Sequence, residues 1–176
     1  MANNTGDFMD DRTLSNLVDA VTRNVLKSYT DSPTKDYTKS YITLSMARKL
    51  VEKVEQEALR IGVKAVVAVS NAAARPVIIE CMDDSFIASY DIALNKAYTA
   101  VALKMSTGKL KELTKPGDSL YGIQYTNSGQ IVIFGGGEPL AAGGEIIGGL
   151  GVSGGTEQQD TYLAAYGAKL FEDELS

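Results

Sequence analysis

The spacing with the most recognisable chemistry is Gly149-x-Gly151-x-x-Gly154, the glycine pattern of dinucleotide-binding turns. An apolar run precedes it and a helical pattern follows it, so the glycines would let backbone amides approach a pyrophosphate. Such a site also needs a second parallel strand after the helix, with an acid near its end that holds the ribose. The sequence has no such strand between this helix and Ser176, so we expect no dinucleotide site.

The sequence contains no histidine. This excludes Ser-His-Asp and Cys-His catalysis, the H-E-x-x-H zinc motif and a protein imidazole as a ligand for zinc or haem. No other pair of a nucleophile with a base stands out, and neither does a metal-binding cluster of carboxylates. We therefore do not expect a conventional hydrolase or transferase.

Glycine is concentrated in one segment, where ten of the seventeen glycines lie between Gly135 and Gly155. Glycine at this density marks backbone that turns tightly or comes close to a ligand or to another chain segment. One interpretation is a pocket in which successive amides bind an anionic group. The other is that the glycines allow tight turns between short strands and close packing at an oligomer interface.

Composition narrows the class of protein further. The 176 residues, 44% of them apolar, fit one globular domain with a possible tail. No apolar run is long enough for a membrane span and no signal peptide pattern is present, so we expect a cytoplasmic protein with no membrane partner. Residues 116–176 carry eight acids against one base, which makes nucleic acid an improbable partner. The single cysteine, Cys81, lies in an apolar run and is predicted to be a small buried hydrophobe.

The elements that must position these residues begin with an amphipathic helix in residues 1–28, followed by a polar linker in residues 29–41. Its apolar face comprises Leu14, Leu17, Val18, Val21 and Val25. A helix of this kind either docks on a partner through that face or folds back on its own domain.

The domain proper is predicted to occupy residues 42–176, in the order α-β-β-α-β-β-β-α. Helices are expected after the capping residues Thr43 and Ser85, and after a capping box formed by Thr156 and Gln159. The predicted strands are Val63–Val69, Val77–Met82, Tyr121–Tyr125, Gln130–Phe134 and Glu145–Val152. This order predicts an α+β domain in which helices flank a central antiparallel sheet of about five strands.

Three motifs carry a family resemblance: Lys96-Ala-Tyr-Thr-Ala100, Gly135-Gly-Gly-x-Pro139 and Gly151-Val-Ser-Gly-Gly155. With ITLSMARKLVEKV near the start of the domain, they make the chain resemble the GlcG/HbpS family, which includes the C-terminal domain of PduO. The resemblance implies a profilin-like fold, a homo-oligomer and, in several relatives, haem binding; others accompany corrinoid or glycolate metabolism. Histidine-based haem ligation has no counterpart here. Nothing resembles the adenosyltransferase half of PduO, so that activity is not expected.

The expected cofactor is haem or cobalamin. For a bound porphyrin, tyrosinate or sulfur could still hold the iron. The tyrosine candidates are Tyr90, Tyr98, Tyr121 and Tyr125, with Met46, Met105 and Cys81 behind them. The ordinary alternative is that each of these side chains is part of the core or an interface. Gly135, Gly136, Gly137 and Pro139 are candidates for the pocket wall.

Three charged residues lie near these motifs, and Lys96 among them has two interpretations. Lys96 could neutralise a carboxylate or a haem propionate, or be a solvated or interface lysine. Glu157 and Asp160 open the last helix, where negative charge stabilises the helix dipole, and are predicted to be structural.

In this family setting the N-terminal helix resembles an encapsulation peptide, which docks cargo to the shell of a bacterial microcompartment. The sequence therefore predicts a non-catalytic, oligomeric protein that binds haem or a corrinoid inside such a compartment and contacts shell or cargo proteins. One alternative is a structural or assembly protein with no bound cofactor. Another is an enzyme acting on a small organic acid or aldehyde, for which no catalytic group can be named.

Overall fold

The computed structural model describes residues 11–30 and 41–175. The chain forms two compact units, Met1–Thr38 and Lys39–Ser176. The helices and strands are α1 (Asp11–Thr30), α2 (Leu44–Arg60), β1 (Val66–Asn71), β2 (Pro76–Cys81), α3 (Ser89–Ala102), α4 (Thr107–Lys111), β3 (Gly137–Ala142), β4 (Glu145–Ser153) and α5 (Glu157–Leu170). Two short helical turns, Ile123–Tyr125 and Asn127–Gly129, lie between α4 and β3, and a third, Phe171–Leu175, follows α5.

The first unit contains the predicted amphipathic helix, observed as the 20-residue α1. Val18 and Val21, from its predicted apolar face, are both more than half exposed. The side chains of Leu14, Leu17 and Val25 lie outside the described part, as does most of the predicted linker, residues 31–40.

The second unit is an α+β domain, as predicted, built on a four-stranded antiparallel sheet in the order β2-β1-β4-β3. Two of the predicted strands are wrong. Tyr121–Tyr125 ends in a helical turn, and Gln130–Phe134 is irregular. The third strand is instead Gly137–Ala142, whose glycine and proline hide the strand pattern. Proline is tolerated there because β3 is an edge strand.

Helices cover both faces of the sheet. On one face, α2 and α5 pack on a core that includes Leu50, Val54 and Leu150. Thr43 caps α2, and Thr156 with Gln159 forms the capping box of α5, as predicted. The prediction that Ser85 caps the next helix is wrong, because Ser85 lies in a turn closed by a hydrogen bond to Met82 and α3 begins only at Ser89.

On the other face, α3 lies close to β4 because β4 presents glycines to it. A Cβ atom added at Gly151 would lie 2.0 Å from the Ala93 carbonyl oxygen, and one added at Gly149 would lie 2.5 Å from that of Ala97. Real Cβ atoms do not approach carbonyl oxygens this closely, so these positions require glycine. The Gly149-x-Gly151-x-x-Gly154 spacing therefore serves the packing of a helix on a strand.

Candidate functional site

The most unusual polar group of the domain is the amine of Lys96, which lies on α3 and is completely buried. Its Nζ donates hydrogen bonds of 2.8 Å to Asp160 Oδ2 and 2.8 Å to the carbonyl oxygen of Val152. The amine also lies 4.9 Å from the centroid of the Phe134 ring. Lys96 is therefore a core residue with a counter-charge of its own, rather than a solvated lysine.

The glycines of the predicted pocket wall close around this amine. A Cβ atom at Gly136 would lie 2.6 Å from Lys96 Nζ, and the residue has a φ of +110°, so only glycine fits. The amide of Gly135 donates to Glu157 Oε1 at 3.0 Å, and that of Gly137 donates to Thr107 Oγ1 at 2.9 Å. Both amides thus have partners within the domain, which favours the interpretation that the segment packs closely.

The electrostatics of this region follow from burial and pairing. Burial lowers the pKa of Lys96, and the charge of Asp160 opposes that shift. The amide of Gly135 and the amine of Lys111 lower the pKa of Glu157, whose Oε2 lies 2.6 Å from Lys111 Nζ. The region therefore holds fixed charges in matched pairs.

A cleft of about 340 Å³ opens beside the buried pair. Phe86, Ile92 and Phe134 are among its lining residues, and so are two acidic residues, Glu157 and Asp160. No tyrosine, cysteine or methionine is among the residues that line this cleft. It can accept an apolar group, but it offers no ligand for a metal of a tetrapyrrole.

A second pocket, of about 530 Å³, contains one of the predicted tyrosines. Tyr98 lines it together with Arg75, and the remaining wall is Ala72, Ala73, Ala74, Val101, Ala102 and Gln130. The Nδ2 of Asn127 donates to Tyr98 Oη at 3.0 Å. Ala74 and Asn127 have φ of 56° and 49°, a left-handed conformation that is costly for residues other than glycine. The pocket therefore combines a positioned phenol and a guanidinium with several alanine and valine residues.

The remaining candidates are dispersed. Tyr90, Tyr121 and Tyr125 are exposed on the surface by 46%, 63% and 84%. Met46 and Met105 are partly buried. Cys81 is exposed, so the prediction that it is buried is wrong; it ends β2, which lies at the edge of the sheet.

Pro139 belongs to β3, where it lies opposite Gly149 of β4. Lys96 and Gly135–Gly137 are buried in the core. The structure thus joins Lys96 with the glycines and leaves Tyr98 in a separate pocket. Within residues 11–30 and 41–175, no group of three or more Cys, Asp or Glu side chains could hold a metal ion.

Sequence reasoning missed three of these residues. Asp160 was assigned to the helix dipole, and nothing local indicates that it pairs with Lys96, which is 64 positions away. Arg75 and Asn127 lie in loops without a motif. Arg75 comes near Tyr98 through the hairpin between β1 and β2, and Asn127 through the helical turn Asn127–Gly129, so no spacing in the sequence reports either contact.

The comparisons with known proteins agree with this architecture. Residues 42–169 match the family model described as haem degrading protein HbpS-like. The chain belongs to the HbpS-like family. This HbpS-like chain is 46% identical over 132 residues to an uncharacterized 15.0 kDa protein of the dhaT-dhaS intergenic region of Citrobacter freundii, covering 75% of the chain and 93% of that protein.

Two further matches involve PduO. The corrinoid adenosyltransferase PduO of Salmonella typhimurium is 32% identical over 150 residues, which covers 85% of this chain but only 45% of the length of PduO. The solved structure of the complex between PduOC and haem superposes with a TM-score of 0.71 at 33% identity, covering 73% of this chain and 94% of the other. Separately, none of the helices in the described ranges has the length and apolarity needed to cross a membrane.

Proposed function

We propose that this HbpS-like chain is a non-catalytic accessory protein that binds a tetrapyrrole, with haem as the first candidate and a corrinoid as the second. The observation that carries the proposal is the pocket around Tyr98, which places a phenol and a guanidinium in one pocket. The similarity to PduOC, which was solved with haem, supports haem as the ligand.

The residues of this pocket fit a haem. Its volume of about 530 Å³ lies in the range of small-molecule sites. Tyr98 would supply a phenol oxygen to hold the iron, as tyrosine does in some haem proteins, and the Asn127 amide would hold its ring in place. Arg75 would pair with a propionate, since guanidinium matches carboxylate in geometry and charge. Bound haem would supply an iron centre with a strong Soret absorption.

The cleft beside Lys96 fits a haem less well. The two acidic residues that line it, Glu157 and Asp160, are already paired with Lys111 and Lys96, and no lysine or arginine is among its lining residues to bind a propionate. Lys96 cannot compensate without leaving Asp160 unpaired in the core. We therefore assign the tetrapyrrole to the Tyr98 pocket.

An absorbance titration tests the assignment. Haemin added to the full chain is expected to give a saturable Soret shift at one equivalent per subunit, and Tyr98→Phe is expected to change the band and weaken binding by at least tenfold. The matched control is Tyr125→Phe, which removes an exposed phenol outside the pocket and should bind as the wild type does. Binding that is equal in both variants would overturn the assignment to Tyr98.

The same titration distinguishes haem from a corrinoid, and it also tests the alternative function, a structural or assembly role. Saturation by cob(III)alamin with no response to haemin would make a corrinoid the ligand. No saturable response to either compound would overturn the tetrapyrrole proposal and favour the structural or assembly role, in which the pocket has no cofactor.

We further propose that α1 delivers the protein to a bacterial microcompartment by docking on shell or cargo proteins. The support is the amphipathic pattern of α1, the exposure of Val18 and Val21, and the resemblance described above. Deleting residues 1–28 should abolish co-purification with shells, and so should the pair Val18→Asp and Val21→Asp. A control pair, Ser15→Asp and Asn16→Asp, adds the same charge to the polar side of the helix and should leave co-purification with shells unchanged. Unchanged co-purification after the deletion would refute this role.

A further inference from the structure

The cleft beside the buried Lys96–Asp160 pair has a second polar feature, a pair of buried serine hydroxyls. Ser89 lies in the first turn of α3 and Ser153 at the end of β4, and they are only 3% and 5% exposed. Both residues line the 340 Å³ cleft, and the hydroxyl of Ser153 donates to that of Ser89 at 3.1 Å. The fold thus brings two hydroxyls that are 64 positions apart in the sequence to the lining of one cleft.

The two hydroxyls do not satisfy each other completely. Each serine hydroxyl carries one proton that it can donate. The hydrogen bond between Ser153 and Ser89 uses one of the two protons, whichever serine is the donor. Among the residues that the structure describes, neither hydroxyl makes a further hydrogen bond. A buried donor without an acceptor is unfavourable, so one hydroxyl proton is left for an acceptor that enters the cleft.

The charged residues of the cleft already have partners. The two carboxylate oxygens of Asp160 accept from the amine of Lys96 at 2.8 Å and from the amide of Gly155 at 2.9 Å. Both carboxylate oxygens of Glu157 accept from the amine of Lys111. No lysine or arginine is among the described residues that line the cleft. A charged ligand would therefore leave water without gaining a free counter-charge, which favours an uncharged one.

Much of the remaining lining is apolar. Phe86 and Phe134 are 71% and 38% exposed, and Ile92 lies on α3 about one turn beyond Ser89. A ligand that covered the two rings would remove apolar surface from water, which stabilises a complex. The volume of the cleft is at the lower end of the range of small-molecule sites, so the ligand has to be small.

We propose that this cleft binds a small uncharged molecule whose oxygen accepts a hydrogen bond from the Ser89–Ser153 pair and whose apolar body lies against Phe86 and Phe134. Carbonyl compounds and alcohols share this chemistry, because the oxygen of either can accept the free serine proton. The inference does not rest on the proposed tetrapyrrole site, because Tyr98 lines a different pocket.

The chemistry of the ligand is tested by an NMR titration of the full chain with four compounds that share one ring. They are cyclohexanone, cyclohexanol, cyclohexanecarboxylate and cyclohexylamine. The two uncharged compounds should bind saturably, and the two charged ones at least about tenfold more weakly. Whichever uncharged compound binds more tightly identifies the class of ligand, carbonyl or alcohol. Equal or tighter binding of a charged compound would overturn the proposal, as would the absence of saturable binding by both uncharged ones.

The role of the hydroxyl pair is tested by Ser89→Ala combined with Ser153→Ala. A single substitution leaves one hydroxyl with a free proton, so both have to be removed to eliminate the donor. The double variant should bind cyclohexanone at least about fivefold more weakly. The control is Ser70→Ala, which removes a buried hydroxyl outside the cleft and should bind as the wild type does. Unchanged affinity in the double variant would refute the role of the hydroxyls.

The location of the ligand is tested by Phe86→Trp, which alters an exposed residue and leaves the buried groups in place. The sequence contains no tryptophan, so the new indole is the only one. Its emission should shift saturably to shorter wavelength as cyclohexanol is added, because the ligand replaces water at the ring. The control is Leu59→Trp, at a 64% exposed residue of α2, whose emission should not change. The same response in both variants, or none in either, would overturn the location.

Two cross-titrations keep this proposal apart from the tetrapyrrole. The double serine variant should bind haemin as the wild type does, and Tyr98→Phe should bind cyclohexanone as the wild type does. A weaker affinity of Tyr98→Phe for cyclohexanone would place the uncharged ligand in the other pocket and contradict its assignment to the cleft.

Discussion

Replacing Lys96 with methionine removes the buried cation and keeps an unbranched side chain in the same space. In the wild type the amine and the Asp160 carboxylate lie 2.8 Å apart, with side-chain exposures of 0% and 6%. Removing one partner of a buried ion pair costs about 3–5 kcal/mol, because the other charge stays in the core without compensation. We expect a loss of this size for Lys96→Met.

The measurement is urea unfolding followed by circular dichroism. For an m value of about 2 kcal/mol per molar, a loss of about 4 kcal/mol lowers the midpoint by about 2 M. Asp160→Asn is the complementary change, and its remaining carbonyl oxygen can still accept the 2.9 Å hydrogen bond from the amide of Gly155. It leaves Lys96 as the unpaired buried charge, so we expect a similar loss.

The double variant decides whether the pair is the cause. With both charges gone, no uncompensated ion is left, so Lys96→Met with Asp160→Asn should cost less than either single change. The coupling free energy between the two sites should therefore exceed one single loss, about 4 kcal/mol. A double variant that loses the sum of the two single losses would refute the reasoning, as would a Lys96→Met midpoint equal to that of the wild type.

Two further predictions concern the sheet. Gly151→Ala should destabilise the domain by at least about 3 kcal/mol in urea unfolding, because the new Cβ atom would lie 2.0 Å from the Ala93 carbonyl oxygen. The control is Gly108→Ala, which should be neutral or slightly stabilising, because no atom lies closer than 4.0 Å to the new Cβ atom. Equal effects of the two substitutions would contradict this account. Burial raises the pKa of Glu138 to about 6. The folded state therefore binds more protons than the unfolded state between pH 4.5 and 6, and stability falls as pH rises through that window. Glu138→Gln should thus raise the free energy of unfolding by about 1 kcal/mol over the wild type at pH 7.5, after allowance for solvent screening, and should leave it unchanged at pH 4. A gain in stability that does not depend on pH would show that the pKa of Glu138 is not its cause.

Local signals in the sequence predicted two of the three helix caps. Thr43 and the Thr156–Gln159 pair cap helices because capping depends on residues three positions apart. The strand Gly137–Ala142 was missed because its glycine and proline lower its strand propensity. Its pairing with β4 supplies the stabilisation that its own residues lack, and that pairing is a tertiary fact.

The candidate site was predictable only in part. The resemblance selected Tyr98 and Lys96, but it could not distinguish their environments, although they are two positions apart on α3. Two positions on a helix differ by about 200°, so one side chain turns to the sheet and the other lies in the pocket with Arg75. The glycines of β4 decide which face of α3 is buried, because they allow the backbone of α3 to pack closely against β4 on the side of Lys96.

The glycine-rich segment therefore acts on the site indirectly. Gly136 makes room for the Lys96 amine, and Gly149 and Gly151 let α3 settle on the sheet. Because α3 is fixed on that side, the opposite side of the helix is presented to the loops that carry Arg75 and Asn127. A larger residue at Gly151 would displace α3 and move Tyr98 away from Asn127, so a loss of haemin binding in Gly151→Ala would not by itself identify a ligand. Tyr98→Phe, which leaves the packing of α3 on β4 unchanged, is for that reason the variant that distinguishes ligation from architecture.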